Sequence, residues 1–258
     1  MNSTREQRLQ YIMEILKERH TVPLLELSDV FSVSTVTIRK DVAELEEKGL
    51  VFRQHGSVSL RNDKGIPFFS LDKRSSLQND EKLRIAVAAA ALVTPNDSVI
   101  LDSGTTAAMV AREMVSLPPI CIATNSILAA QELGGSAHNV SISGGDVINQ
   151  SLCIVGAEAV SFFSNIHATK MFLGATGIRK NFLLTTGLAS EAEIKKAMLD
   201  AADEVILVAD SSKFLRTDNS MFSFCPPERV SCVVTGAEPP EGYRELLHQL
   251  NIRLIVAP

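Results

Sequence analysis

The stretch that decides how this chain is read runs over residues 24–56, LLELSDVFSVSTVTIRKDVAELEEKGLVFRQHG. After Pro23, the apolar residues Leu24, Leu25, Leu27, Val30 and Phe31 recur at helical spacing. The short break Ser32-Val33 leads to Ser34, whose hydroxyl can accept an orphan backbone N–H and so cap a second helix. On that helix the 3.6-residue period is expected to turn Val36, Ile38, Val42 and Leu45 toward a core, leaving Ser34, Thr35, Thr37, Arg39 and Lys40 early or outward. Gly49 is a good stop, and residues 50–53 and 57–60 flank Gln54-His55-Gly56 like the two strands of a wing. Two helices joined by a tight turn, with hydroxyl and basic side chains opening the second, form the helix-turn-helix arrangement that enters a DNA major groove. With the two strands it becomes a winged helix.

Residues 33–42 (VSTVTIRKDV), 45–50 (LEEKGL) and 53–56 (RQHG), in that order, resemble the DNA-binding signature of the DeoR family of bacterial transcriptional regulators. The resemblance implies operator contacts from Ser34, Thr35, Thr37, Arg39, Lys40, Arg53 and His55. The family usually carries Arg where this chain has Lys40, which keeps the charge without the planar donor fork, and a second Gly where it has Ser57.

Charge gives this region no general attraction to phosphate, because residues 1–61 hold nine basic and nine acidic side chains. DNA binding must then depend on where the charges stand. The whole chain has 258 residues, 45% hydrophobic, and a formal net charge of −5, which suits one small and one mid-sized packed domain and rules out a basic coat over the entire surface. Residues 1–8 are polar and lead into an amphipathic helix over 5–19. No apolar run approaches the ~20 residues that span a bilayer, so no leader or membrane partner is expected and the protein is expected to be cytoplasmic. Cys121, Cys153, Cys225 and Cys232 lack paired ligand spacing and read as reduced structural thiols, with no metal and no cofactor expected.

Residues 1–60 are thus expected to form the DNA-binding domain, 61–80 a polar linker in which Phe68, Phe69 and Leu71 make junction contacts, and 81–258 an α/β domain. In the last, short apolar runs at 98–101, 120–123, 140–142, 170–173, 205–209, 233–234 and 254–256 alternate with helical patterns at 81–93, 105–115, 126–133, 191–201 and 243–250. Such alternation predicts a Rossmann-like, mainly parallel sheet covered on both faces.

Ligands of an open α/β sheet bind beyond the carboxyl ends of its strands. There the sequence places Asp102-Ser103-Gly104-Thr105-Thr106, Thr124-Asn125-Ser126, Ser143-Gly144-Gly145, Gly174-Ala175-Thr176-Gly177 and Asp210-Ser211-Ser212-Lys213. Ser103, Gly104, Thr105 and Thr106 have the makings of a phosphate cradle at a helix start. Asn125 and Gly145 would line the pocket, Asp102 and Asp210 would accept hydroxyl hydrogen bonds, and Lys213 would pair with phosphate. Glu191 and Lys195, one helical turn apart, read as an exposed i,i+4 pair, with a place in the pocket as the alternative. The order of these loops resembles the DeoR-family sensor domain, which is similar to the fold of sugar-phosphate isomerases. That implies a phosphorylated sugar or related effector and a homo-oligomeric repressor on double-stranded operator DNA. The competing reading is an isomerase-like enzyme using Asp102, Asp210, Glu191 or Lys213 for proton transfer.

Overall fold

A computed structural model describes residues 5–19, 21–54, 56–60, 78–214 and 220–258, which fall into two units split between Arg74 and Ser75. The first unit contains α1 (Arg5–Arg19), β1 (Thr21–Pro23), α2 (Leu24–Phe31), α3 (Thr35–Glu47), β2 (Val51–Gln54) and β3 (Ser57–Leu60). The wing is an antiparallel hairpin, and β1, which the apolar pattern does not reveal, pairs with β3 to give the order β1-β3-β2. Leu9, Ile12, Leu16, Leu27, Ile38, Val42, Leu45, Val51 and Val58 close the core of this unit.

Val36 departs from expectation: it is 58% exposed. At 100° per residue it lies opposite the stripe of Ile38, Val42 and Leu45, and the remaining inward position is filled by Asp41, 1% exposed. Asp41 is held there by Arg8, with Nε 2.6 Å from Oδ2, and by Arg5 at 3.2 Å, so α1 pins α3 through a buried carboxylate. Leu25 and Val30 on α2 are likewise exposed.

In the second unit, α4 (Asn79–Ala90), β4 (Ser98–Leu101), α5 (Thr105–Met114), β5 (Cys121–Thr124), α6 (Ile127–Glu132) and β6 (Asn139–Ile142) come first. A hairpin, β7 (Asp146–Ile148) with β8 (Cys153–Val155), and α7 (Ala157–Ser164) precede β9 (Ala168–Leu173). Two short strands, β10 (Gly177–Ile178) and β11 (Leu184–Thr186), lead to α8 (Ala189–Asp200) and β12 (Ala202–Val208). The chain ends with β13 (Phe222–Cys225), β14 (Cys232–Thr235), α9 (Glu241–Gln249) and β15 (Arg253–Val256). Seven strands form one sheet in the order β15-β14-β12-β9-β4-β5-β6, each parallel to its neighbour.

Strand alternation divides the core in two. Ile100, Met171, Leu173, Val205, Leu207 and Val233 pack with Phe163, Met198 and Leu247 on one face. Val99, Leu101, Phe172, Ile206, Val208 and Val234 pack with Ile85, Val110 and Met114 on the other. The sheet is therefore the middle of three layers. From β4 the chain winds outward through β5 and β6, then returns to β9 on the other side of β4 and winds through β12, β14 and β15. The topological switch point lies between β4 and β9.

Candidate DNA interface and effector site

The turn of the helix-turn-helix is built by local hydrogen bonding. Ser32 closes α2 in the left-handed conformation at φ 51°, its N–H donating to Asp29 O, while Ser28 Oγ donates to Val33 O at 2.6 Å. Ser34 then caps α3 by accepting from Thr37 N–H at 3.2 Å, and its hydroxyl also bonds Thr37 Oγ1 at 2.9 Å. Ser34 and Thr37 are thus committed to the helix start. The outward face of α3 is left to Val36, Arg39 and Lys40, all exposed, with Thr35 half-buried beside them. Arg53 on the wing is exposed, but its N–H donates to Glu46 Oε1 at 3.0 Å and its guanidinium pairs with the same carboxylate. His55 lies outside the described residues, as do Phe68, Phe69 and Leu71.

In the second unit the five predicted loops all follow parallel strands on one rim. At the switch point, Asp102 and Gly174 meet: Gly174 N–H donates to Asp102 Oδ2 at 2.8 Å. The same carboxylate oxygen receives the ammonium of Lys195, which also donates to Gly174 O at 3.1 Å and lies 5.2 Å from the centre of the Phe224 ring. Lys195 is 5% exposed and Asp102 fully buried, so the expectation of an exposed Glu191–Lys195 pair is wrong. Lys195 stands in line with Ala192 and Leu199, both buried, on the inner stripe of α8. Glu191 is half-buried and accepts from Ser151 Oγ at 3.1 Å and from Thr186 Oγ1. Asp102 Oδ1, on the other side of the carboxylate, is buried and accepts nothing within the described protein.

Directly after Asp102 comes α5, whose N-cap Gly104 adopts φ 118° and which has no side-chain cap. A Cβ at Gly104 would meet nothing within 4 Å, so the backbone there borders open space. Ser103 and Thr105 are half-buried and Thr106 is buried beside it. The neighbouring loop is more self-contained: Ser126 Oγ caps α6 at Ala129 N–H, and Asn125 Nδ2 donates to Ile154 O at 3.0 Å while its buried Oδ1 has no partner among the described residues. Gly145 serves packing, since a Cβ there would come within 2.3 Å of Val155 O. Asp210 is buried and caps the turn Ser211–Lys213 through Ser212 N–H at 3.1 Å. Lys213 Nζ lies 4.0 Å from Asp210 Oδ2, and Ser211 is tied to Glu81 of α4 at 2.7 and 2.9 Å. Sequence reasoning set Lys195 toward solvent and overlooked Phe224 and the contact made by Glu81. A lysine in the apolar stripe of a helix was the available signal for the first.

Among the described residues, no three His, Cys, Asp or Glu side chains stand together as a metal site, and no helix is long and apolar enough to cross a membrane. All four cysteines are free, and burial pushes the thiols of Cys153 and Cys225 up to about 11 and about 12, which keeps them protonated near neutrality.

A winged helix joined to a parallel α/β domain with a polar switch-point rim defines a class: DNA-binding transcriptional regulators with a ligand-sensing module. Residues 8–64 match the DeoR-like helix-turn-helix domain and residues 77–237 the DeoR C terminal sensor domain, and the chain belongs to the DeoR family. It is similar to the HTH-type transcriptional regulator IolR of Bacillus subtilis, 32% identical with 96% of this chain and 98% of that protein covered. It is also similar to the glycerol-3-phosphate regulon repressor of Escherichia coli K12, 31% identical over 96% and 97% of the two chains. Among solved structures, ribose 5-phosphate isomerase A from Methanocaldococcus jannaschii overlaps 53% of this chain and 54% of its own at 20% identity and a TM-score of 0.40.

Proposed function

We propose that this regulator represses a carbohydrate-metabolism operon, binding operator as a homo-oligomer through α3 and the wing and releasing it when a phosphorylated sugar or related metabolite occupies the rim between β4 and β9. The observation that carries this reading is the pairing, at the switch point, of a buried carboxylate oxygen that lacks a donor with an uncapped helix start beside open space. An acceptor of this kind suits a sugar hydroxyl, and a helix N-terminus suits a phosphate. Ser103, Gly104, Thr105 and Thr106 would hold the phosphate, and Asp102 and Asn125 the hydroxyl-bearing end. Asp210 and Lys213 would form the far side of the same rim. Binding is favoured over catalysis because Glu191 and Asp210 are held by hydroxyl and backbone donors that fix the fold, and Asp102 is ion-paired to Lys195 through its other oxygen. The similarity to a repressor named for a glycerol-3-phosphate regulon supports the effector class.

A thermal-shift screen of aldose, ketose and polyol phosphates tests the reading. A ligand present at a hundred times its dissociation constant should stabilise the folded protein by about 2.7 kcal/mol if it binds only that state. No shift with any phosphorylated compound, alongside a shift with an unphosphorylated one, would reject the phosphate assignment.

A further inference from the structure

We infer that Val36 is a specificity-determining residue that reads a thymine methyl group in the major groove. The inference rests on the reading of α3 as the groove-entering helix, and adds to it a contact that charge and hydroxyl chemistry do not supply. Around α3, Ile38, Asp41, Val42 and Leu45 face the core. Val36 stands about 180° from the centre of that stripe, flanked on one side by Arg39 and on the other by Lys40. It is therefore at the middle of the outward face, in the first turn, where base edges are met in helix-turn-helix proteins.

Its neighbours narrow the chemistry left for base reading. The hydroxyls of Ser34 and Thr37 are joined to each other and to the helix start, and Thr35 between them is half-buried, to the side of the outward face. Arg39 and Lys40 are exposed cations, suited to phosphate oxygens or to guanine. Val36 carries neither donor nor acceptor. A β-branched side chain at an exposed helical position is a modest cost to the helix relative to alanine, with only partial burial in return within the protein. The base feature in the major groove that complements an apolar side chain is the C5 methyl of thymine.

The test uses the full-length chain and a duplex selected by it from a random-sequence pool. Each thymine is replaced in turn by deoxyuracil, which removes the methyl group and keeps the base pair. At one or more positions wild type should lose about fourfold in affinity, the value of one buried methyl-sized group. Val36→Ala, which should fold normally because the site is exposed and alanine favours a helix, should bind the thymine duplex about fourfold more weakly and show no further loss on the uracil substitution. Wild type indifferent to every uracil, or Val36→Ala retaining the wild-type uracil penalty, overturns the inference while leaving the operator reading standing. Failure of the wild-type chain to select any sequence overturns both.

Discussion

At residue scale, the side chains that matter most are those whose environment the apolar pattern could not reveal. Val36 groups with the core residues on its apolar character, but at 100° per residue it lies opposite Ile38, Val42 and Leu45, and its expected place goes to Asp41. A carboxylate inside a helical stripe becomes readable only once Arg8 and Arg5, more than thirty residues earlier, are known to reach it. Lys195 shows the same limit: its spacing from Glu191 suggested a solvated pair, and its partner, Asp102, is 93 residues away in sequence. Two outcomes follow at this scale. Arg39→Ala should weaken operator binding by about 1 to 3 kcal/mol and relax preference at one base pair if the contact is to a base edge, or weaken all sequences alike with a shallower salt dependence if it is to phosphate. Unchanged affinity in titrations of a folded variant would exclude both. Lys195→Met should destabilise the sensor unit by about 3 to 5 kcal/mol, because it leaves the Asp102 carboxylate buried without its cation, and adding Asp102→Asn should recover much of that loss. Denaturant midpoints that move no more than for a surface substitution would show the pair to be solvated.

At the scale of elements, most helices and the strands of the parallel sheet were legible, whereas α7 and the short antiparallel strands were not. Helix α1 and strand β4 stand at the residues their patterns predicted, and α3 begins at the cap that Ser34 announces. By contrast β1 and β13 depend on antiparallel partners far away in sequence, and β7, β8, β10 and β11 are only two or three residues long, so neither length nor alternation marks them. The junction before β4 carries a pH-dependent contact of its own. Burial alone would raise the Asp97 carboxyl, but hydrogen bonds from Lys170, Thr94 and Thr169 overcome it and bring it down to about 2. A depressed carboxylate contributes stability that is present above its unfolded value, near 4, and is lost as the pH falls through its folded value, here between about pH 4 and pH 2. Asp97→Asn should therefore cost about 2 kcal/mol at pH 7 and roughly half that at pH 3. Urea titrations at the two pH values check it, and a penalty that does not shrink in acid would mean that the charge on Asp97 contributes nothing.

At the scale of the whole molecule, a metabolite-responsive repressor requires two sites that influence each other. Parallel winding places the predicted loops on one rim, and this much the alternation of apolar runs and turns already implied. Which loops carry unsatisfied polar atoms was not legible, since that depends on how Asp102, Gly174 and Lys195 divide their hydrogen bonds. Effector binding can alter operator affinity only if the effector favours one arrangement of the protein over another, and such couplings commonly amount to about 5- to 150-fold. The most direct measurement is the operator affinity of the full-length protein with and without the metabolite identified by thermal shift, for wild type and for Ser103→Glu. The new carboxylate suits the start of α5 and should leave the fold intact while repelling a phosphate. Wild type should lose operator affinity when the metabolite is added, and Ser103→Glu should hold its ligand-free affinity throughout. A folded Ser103→Glu protein that still releases operator at the wild-type metabolite concentration would contradict the account.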